Sequence, residues 1–109
     1  ALGYTLADRT DRYDEAYELI RRALEQKPDE PAIIDSMGWV EYRRGNLDAA
    51  LTHLQRAFEL DRNAEIGAHL GEVLWQLGRK EDARRAWDAA AEADATNEVL
   101  LETRRRLDP

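Results

Sequence analysis

The chain has 109 residues, 16 Lys and Arg against 23 Asp and Glu, a formal net charge of −7 and no cysteine. That length fits one domain, the charge repels a nucleic-acid backbone, and the absence of thiols excludes disulfides and thiolate chemistry. No apolar run reaches the roughly 20 residues that span a bilayer, so direct membrane insertion of this stretch is not expected.

The pattern predicts helix almost throughout. A short helix over 1–8 begins abruptly at Ala1, without a methionine, from which the chain is expected to be a piece of a longer protein. A second, over 12–26, takes Asp11 as N-cap, and its Tyr13, Ala16, Tyr17, Ile20, Ala23 and Leu24 recur at the i, i+3, i+4, i+7 spacing of one buried face. Pro28 breaks it, and Pro31 opens a third helix that runs to Arg44 and stops at Gly45. Asn46 caps a fourth helix through Leu60, residues 61–63 turn, and a fifth over 66–77 closes at Gly78. A sixth covers 81–93, and Thr96 or Asn97 caps a seventh that ends near Leu107.

Small residues recur through these helices at a nearly fixed interval. Gly38 and Gly71 lie 33 positions apart, as do Gly45 and Gly78, Ala50 and Ala83, and Ala57 and Ala90. One step upstream, Ala16 and Ala50, and Ala23 and Ala57, are 34 apart. A period of this length marks a solenoid whose units bury their apolar faces against their neighbours. Gly and Ala at these positions let helices approach where larger side chains would clash, a structural role in which they touch no ligand.

Leu2-Gly3, Met37-Gly38 and Leu70-Gly71, followed by Ala16 to Ile20, Ala50 to Leu54 and Ala83 to Trp87, resemble the tetratricopeptide repeat pattern W-x2-L-G-x2-Y, A-x3-F, P. Pro28 fits the closing proline of the first unit, whereas Arg62 and Ala95 replace it in the second and third, and Glu41 stands at an aromatic position, where looser packing is expected. The resemblance implies an all-α, right-handed α-solenoid of about three units: a truncated first over 1–30, a second over 31–63, a third over 64–95, and a capping helix over 96–109. Val99, Leu100 and Leu107 are expected to pack that cap onto the third unit, and Arg104, Arg105 and Arg106 to solvate it and offset its dipole.

In this family the first helix of each unit lines a concave groove. Carried over by position, the resemblance puts Tyr4, Ala7 and Asp8 there from the first unit, Asp35, Trp39, Tyr42 and Arg43 from the second, and Ala68, Glu72, Trp75 and Gln76 from the third. Tyr4, Trp39, Tyr42 and Trp75 would form an aromatic stripe rimmed by charge, the anatomy of a peptide hot spot. For Trp39 and Trp75, packing between helices is an equal alternative; Tyr17, Met37, Phe58 and Trp87 are read as packing residues. Family members that grip the carboxylate end of chaperone tails use Lys, Asn and Arg where this chain has Tyr4, Ser36, Glu65 and His69, so that ligand is not expected and an apolar or basic segment fits better.

The inventory offers no enzyme. Ser36 is the single serine, His53 and His69 fall in different units and read as surface residues, and no phosphate loop or metal-ligand spacing occurs, so neither cofactor nor metal is expected. Segments 35–45 and 68–75 resemble the C-terminal repeat region of Gram-negative outer-membrane lipoproteins that serve as adaptors for C-terminal-processing proteases. This implies a non-catalytic, periplasmic adaptor, tethered through its parent lipoprotein, that binds a protein or peptide partner. The alternative is a structural cap or oligomerisation segment, with self-association expected through the apolar edge left by residues 1–6.

Overall fold

A computed structural model describes residues 12–109, which form six helices and no strand: α1 (Tyr13–Gln26), α2 (Pro31–Arg43), α3 (Leu47–Leu60), α4 (Ala64–Gln76), α5 (Lys80–Ala93) and α6 (Glu98–Leu107). The all-α helical repeat architecture is as expected. The helix over 1–8, the Asp11 cap, the apolar edge, and Tyr4, Ala7 and Asp8 lie outside the described residues.

Local chemistry sets the helix ends. Pro31 occupies the first turn of α2, where a missing N–H costs nothing. Gly45 and Gly78 have φ of 88° and 81°, and each closes a Schellman motif. Asn46 N–H donates to Glu41 O at 2.8 Å and Arg79 N–H to Leu74 O at 2.9 Å, which satisfies carbonyls at the ends of α2 and α4. α4 begins two residues earlier than the sequence pattern predicts, because the side chain of Asn63 accepts from Ile66 N–H at 2.8 Å and caps it. Of the two caps open for α6, Asn97 serves, accepting from Leu100 N–H at 3.0 Å. Asn46 makes no side-chain cap; it donates instead to Glu41 Oε1 at 3.0 Å.

Helices pack in sequence, α1 on α2 through α5 on α6. Beyond that, α2 meets α4 and α4 meets α6 directly, while among the described residues the backbones of α3 and α5 do not approach one another. Thus α2, α4 and α6 form a close inner layer, and α3 and α5 splay apart behind it.

The core follows the small-residue register. Ala50, Ala57, Ala83 and Ala90 are fully buried around Leu54 and Trp87, and Leu100 of α6 joins the same cluster. A second cluster sets Ala16 and Ile20 of α1 against Met37, Trp39 and Val40 of α2. A Cβ on Gly38 would lie 2.6 Å from Leu54 Cγ, and one on Gly71 would run into the Trp87 indole. Gly67, which the repeat pattern does not single out, is equally tight: its Cβ would come 2.5 Å from that of Ala90.

Glu41 departs from the sequence expectation that it loosens packing. It is buried, and its Oε1 accepts from Arg44 Nη1 and Asn46 Nδ2, both at 3.0 Å. A paired carboxylate thus replaces the aromatic as the bolt between the end of α2 and the start of α3.

Candidate functional site

The inner layer carries the residues singled out for a groove, and burial divides them. Arg43 and Gln76 are exposed, and Tyr42 and Trp75 are partly buried. Asp35, Trp39 and Glu72 are buried, with 5%, 8% and 4% of their surface accessible, and Ala68 is fully covered. Deep packing between neighbouring helices, which the sequence left as an equal alternative for Trp39, is what the structure shows.

These side chains form two polar crossings from α2 to α4. In the first, His69 Nδ1 donates to Asp35 Oδ1 at 2.9 Å, and the His69 ring stacks on Trp39 with centroids 4.4 Å apart. His69 is therefore a core residue, 3% exposed, and the expectation that it lies on the surface is overturned. Burial pulls its pKa down, but the Asp35 carboxylate, its hydrogen bond, and the charges of Glu65 and Glu72 outweigh that and hold it above the ordinary imidazole value. His53, on α3, is half-buried, and desolvation pushes its pKa down.

In the second crossing Tyr42 Oη donates to Glu72 Oε2 at 2.7 Å, while Arg106 Nη2 of α6 donates to Glu72 Oε1, also at 2.7 Å. One buried carboxylate thereby ties three helices together. Burial, then the hydrogen bond to Glu72 and its charge, raise the Tyr42 pKa, so the phenol stays protonated as a donor. The arginine run is accordingly more than a solvating face: Arg106 reaches Glu72, and Arg104 Nη2 donates to Asp88 Oδ1 at 3.2 Å. At the end of α6, Asp108 accepts from Arg84 of α5 at 2.9 and 3.3 Å.

Trp39 also meets Tyr42, at 5.1 Å between centroids, and its Nε1 is buried without a hydrogen-bond partner. Trp75 packs on Trp87 at 5.7 Å, with Lys80 Nζ 4.9 Å from its ring centre. Trp87 is fully buried and donates Nε1 to Ala68 O at 3.3 Å. Arg43 Nε donates to Tyr13 Oη at 3.0 Å, and Leu101 of α6 leaves 47% of its surface exposed.

His69 and Arg106 were not among the sequence candidates, yet a signal for both exists. Asp35–His69 and Glu72–Arg106 are each 34 positions apart, and Tyr13–Arg43, Asp14–Arg44 and Tyr42–Glu72 are each 30 apart. Hydrogen-bonding partners separated by about one repeat, charged or phenolic, face each other across a seam between units. Such pairs can be found by reading the sequence at that offset.

Among the described residues no group of three or more His, Asp or Glu could hold a metal ion, and no helix is long and apolar enough to cross a membrane. A family model for the tetratricopeptide repeat matches residues 36–98. A TPR repeat-containing protein of Pseudomonas aeruginosa is 57% identical over 72 residues, which are 66% of this chain and 12% of that protein. Another TPR repeat-containing protein, from Methanocaldococcus jannaschii, is 33% identical over 73 residues, 67% of this chain and 13% of its own length. The small glutamine-rich tetratricopeptide repeat-containing protein 2 of Mycosarcoma maydis is 28% identical over 89 residues, 81% of this chain and 25% of its own. The chain spans a quarter or less of the length of these relatives.

Proposed function

The chain belongs to the tetratricopeptide repeat family, and from that premise we propose that it is a non-catalytic adaptor module holding a protein or peptide partner against the inner layer of α2, α4 and α6. Repeats of this family generally mediate protein–protein interaction. The observation that carries the reading is the make-up of α2 and α4: exposed Arg43 and Gln76 and part-buried Tyr42 and Trp75 accompany a buried, hydrogen-bonded floor of Asp35, His69 and Glu72 on the same two helices. A rigid floor with accessible amphipathic groups keeps the ordering cost of binding low.

The partner in this proposal is a C-terminal-processing protease or one of its substrates, met in the periplasm beside an outer membrane to which a parent lipoprotein is anchored. What supports it is the likeness of segments 35–45 and 68–75 to the repeat region of such adaptors, together with the similarity to the Pseudomonas aeruginosa protein. A second reading, a structural cap of a longer solenoid, is favoured by one observation: α6 is fastened at three points, through Arg84–Asp108, Arg104–Asp88 and Arg106–Glu72.

Affinity capture from a Gram-negative periplasmic extract separates the two. The bait is the wild type or a Gln76→Arg variant, altered at an exposed position of α4, after matching their helical melting curves. A C-terminal-processing protease or its substrate retained by the wild type alone supports the adaptor. Equal retention by both, or neither, favours the cap.

A further inference from the structure

Glu72 combines features that a seam ion pair does not need. Its carboxylate is buried to within 4% of its surface, one oxygen is fixed by the Tyr42 hydroxyl, and the other takes a single N–H from Arg106. The Arg106 side chain is itself 48% exposed. The other seam differs, since both Asp35 and His69 are buried there. A buried carboxylate is costly without a cation, but nothing fixes that cation to be Arg106.

Release of Arg106 does not require α6 to leave. That helix keeps Leu100 buried in the core and remains tied by Arg84–Asp108 and Arg104–Asp88. Only a long, half-exposed side chain has to swing away, and arginine retains many rotamers at such a site. Once Arg106 has swung away, Glu72 stands with Glu65 as a carboxylate of the same helix, and the whole chain carries −7, which attracts a basic segment.

We propose that Glu72, held by Tyr42, is the anchor for an arginine side chain of the bound partner, and that Arg106 fills this place within the chain until the partner displaces it. The inference rests on the adaptor reading above and names the chemistry its groove selects. Guanidinium suits the position because it can give Glu72 a charge-assisted hydrogen bond and stays charged at every physiological pH.

The test is selection of a random peptide phage library on the immobilised 109-residue chain, followed by fluorescence anisotropy of enriched peptides. Each peptide is compared with a copy in which arginine is replaced by citrulline, which keeps the shape and removes the charge. Peptides carrying an essential arginine are expected, binding about threefold to tenfold tighter to Arg106→Ala, where the internal competitor is gone. Glu72→Gln, checked for an unchanged fold, should weaken them about tenfold or more. Peptides that bind the inner layer with no need for arginine, or with affinities indifferent to both variants, overturn the anchor and leave the adaptor reading standing. Peptides whose amide shift changes map away from α2, α4 and α6, or no enrichment on any variant, overturn both.

Discussion

His69 and Asp35 meet at 2.9 Å inside the seam between α2 and α4, with Trp39 stacked on the imidazole. The ring is covered almost completely, yet its pKa lies above the ordinary value of 6.5, because the charge and hydrogen bond of Asp35, with Glu65 and Glu72 on its own helix, more than offset desolvation. A repeat array is only as stiff as the contacts between its units, so this pair bears directly on the shape of the inner layer.

Its sign fixes a pH dependence. The folded chain binds the His69 proton more tightly than the unfolded chain does, so the stabilisation is complete below about pH 6.5 and declines as pH rises through the higher folded value. Urea unfolding of the wild type against His69→Gln, from about pH 5 to about pH 9, should show a stability difference that shrinks toward alkaline pH. A difference that grows with pH would contradict a charged imidazole in the seam.

Gly71 is expected to tolerate no side chain. Gly71→Ala drives a methyl group into the Trp87 indole, a buried ring hydrogen-bonded to Ala68 O. The loss should be about 1–3 kcal/mol, with a changed near-ultraviolet circular dichroism signal from Trp87. Gly78→Ala meets no neighbour, and φ of 81° alone costs about 1–2 kcal/mol. Gly78→Asn should recover part of that loss in thermal melts, while Gly71→Asn should not.

Two asparagines at equivalent helix starts have different tasks. Asn63 caps α4 with its side-chain oxygen, so Asn63→Ala should lose about 1 kcal/mol and Asn63→Asp should be nearly neutral. Asn46 donates to the buried Glu41 carboxylate, so Asn46→Asp sets two carboxylates together and should lose about 1–3 kcal/mol. Denaturant titration of the three variants checks the pattern. Equal behaviour of the two Asp variants would rule out the different roles.

Arg84 holds the last turn of α6 through Asp108, whose carboxyl it keeps below its usual pKa. That contribution is present above the ordinary carboxylate pKa and is lost as pH falls through the lowered folded value. Arg84→Ala should speed amide exchange in residues 104–108 while leaving α2 to α4 protected. Faster exchange spread over the whole chain would instead make α6 inseparable from the core.

How far the sequence reached can be judged residue by residue. Gly38, Gly71, Ala50, Ala57, Ala83 and Ala90 repeat at one interval because helix–helix distance leaves no alternative, and the structure buries every one. Gly45 and Gly78 mark helix ends for a backbone reason as local as theirs is steric. Exposure in the groove was less legible. Asp35, Trp39 and Glu72 lie at positions that face the inner layer by repeat register, but their contacts across the seam between α2 and α4 cover them, and a one-dimensional period carries no interhelical geometry.

His69 reads as a surface residue only while its partner is unknown. Charges 30 or 34 positions apart become neighbours when the array coils, and then Asp35 makes a buried imidazole tolerable and Arg106 does the same for Glu72. The family, the helical repeat and the small-residue register are all legible in the order of residues, because each depends on local propensity and on a steric rule applied at every turn. The tertiary structure alone decided which polar groups are sunk into the seams and which remain accessible, because burial is set by the distance between helices that lie about one repeat apart in the chain.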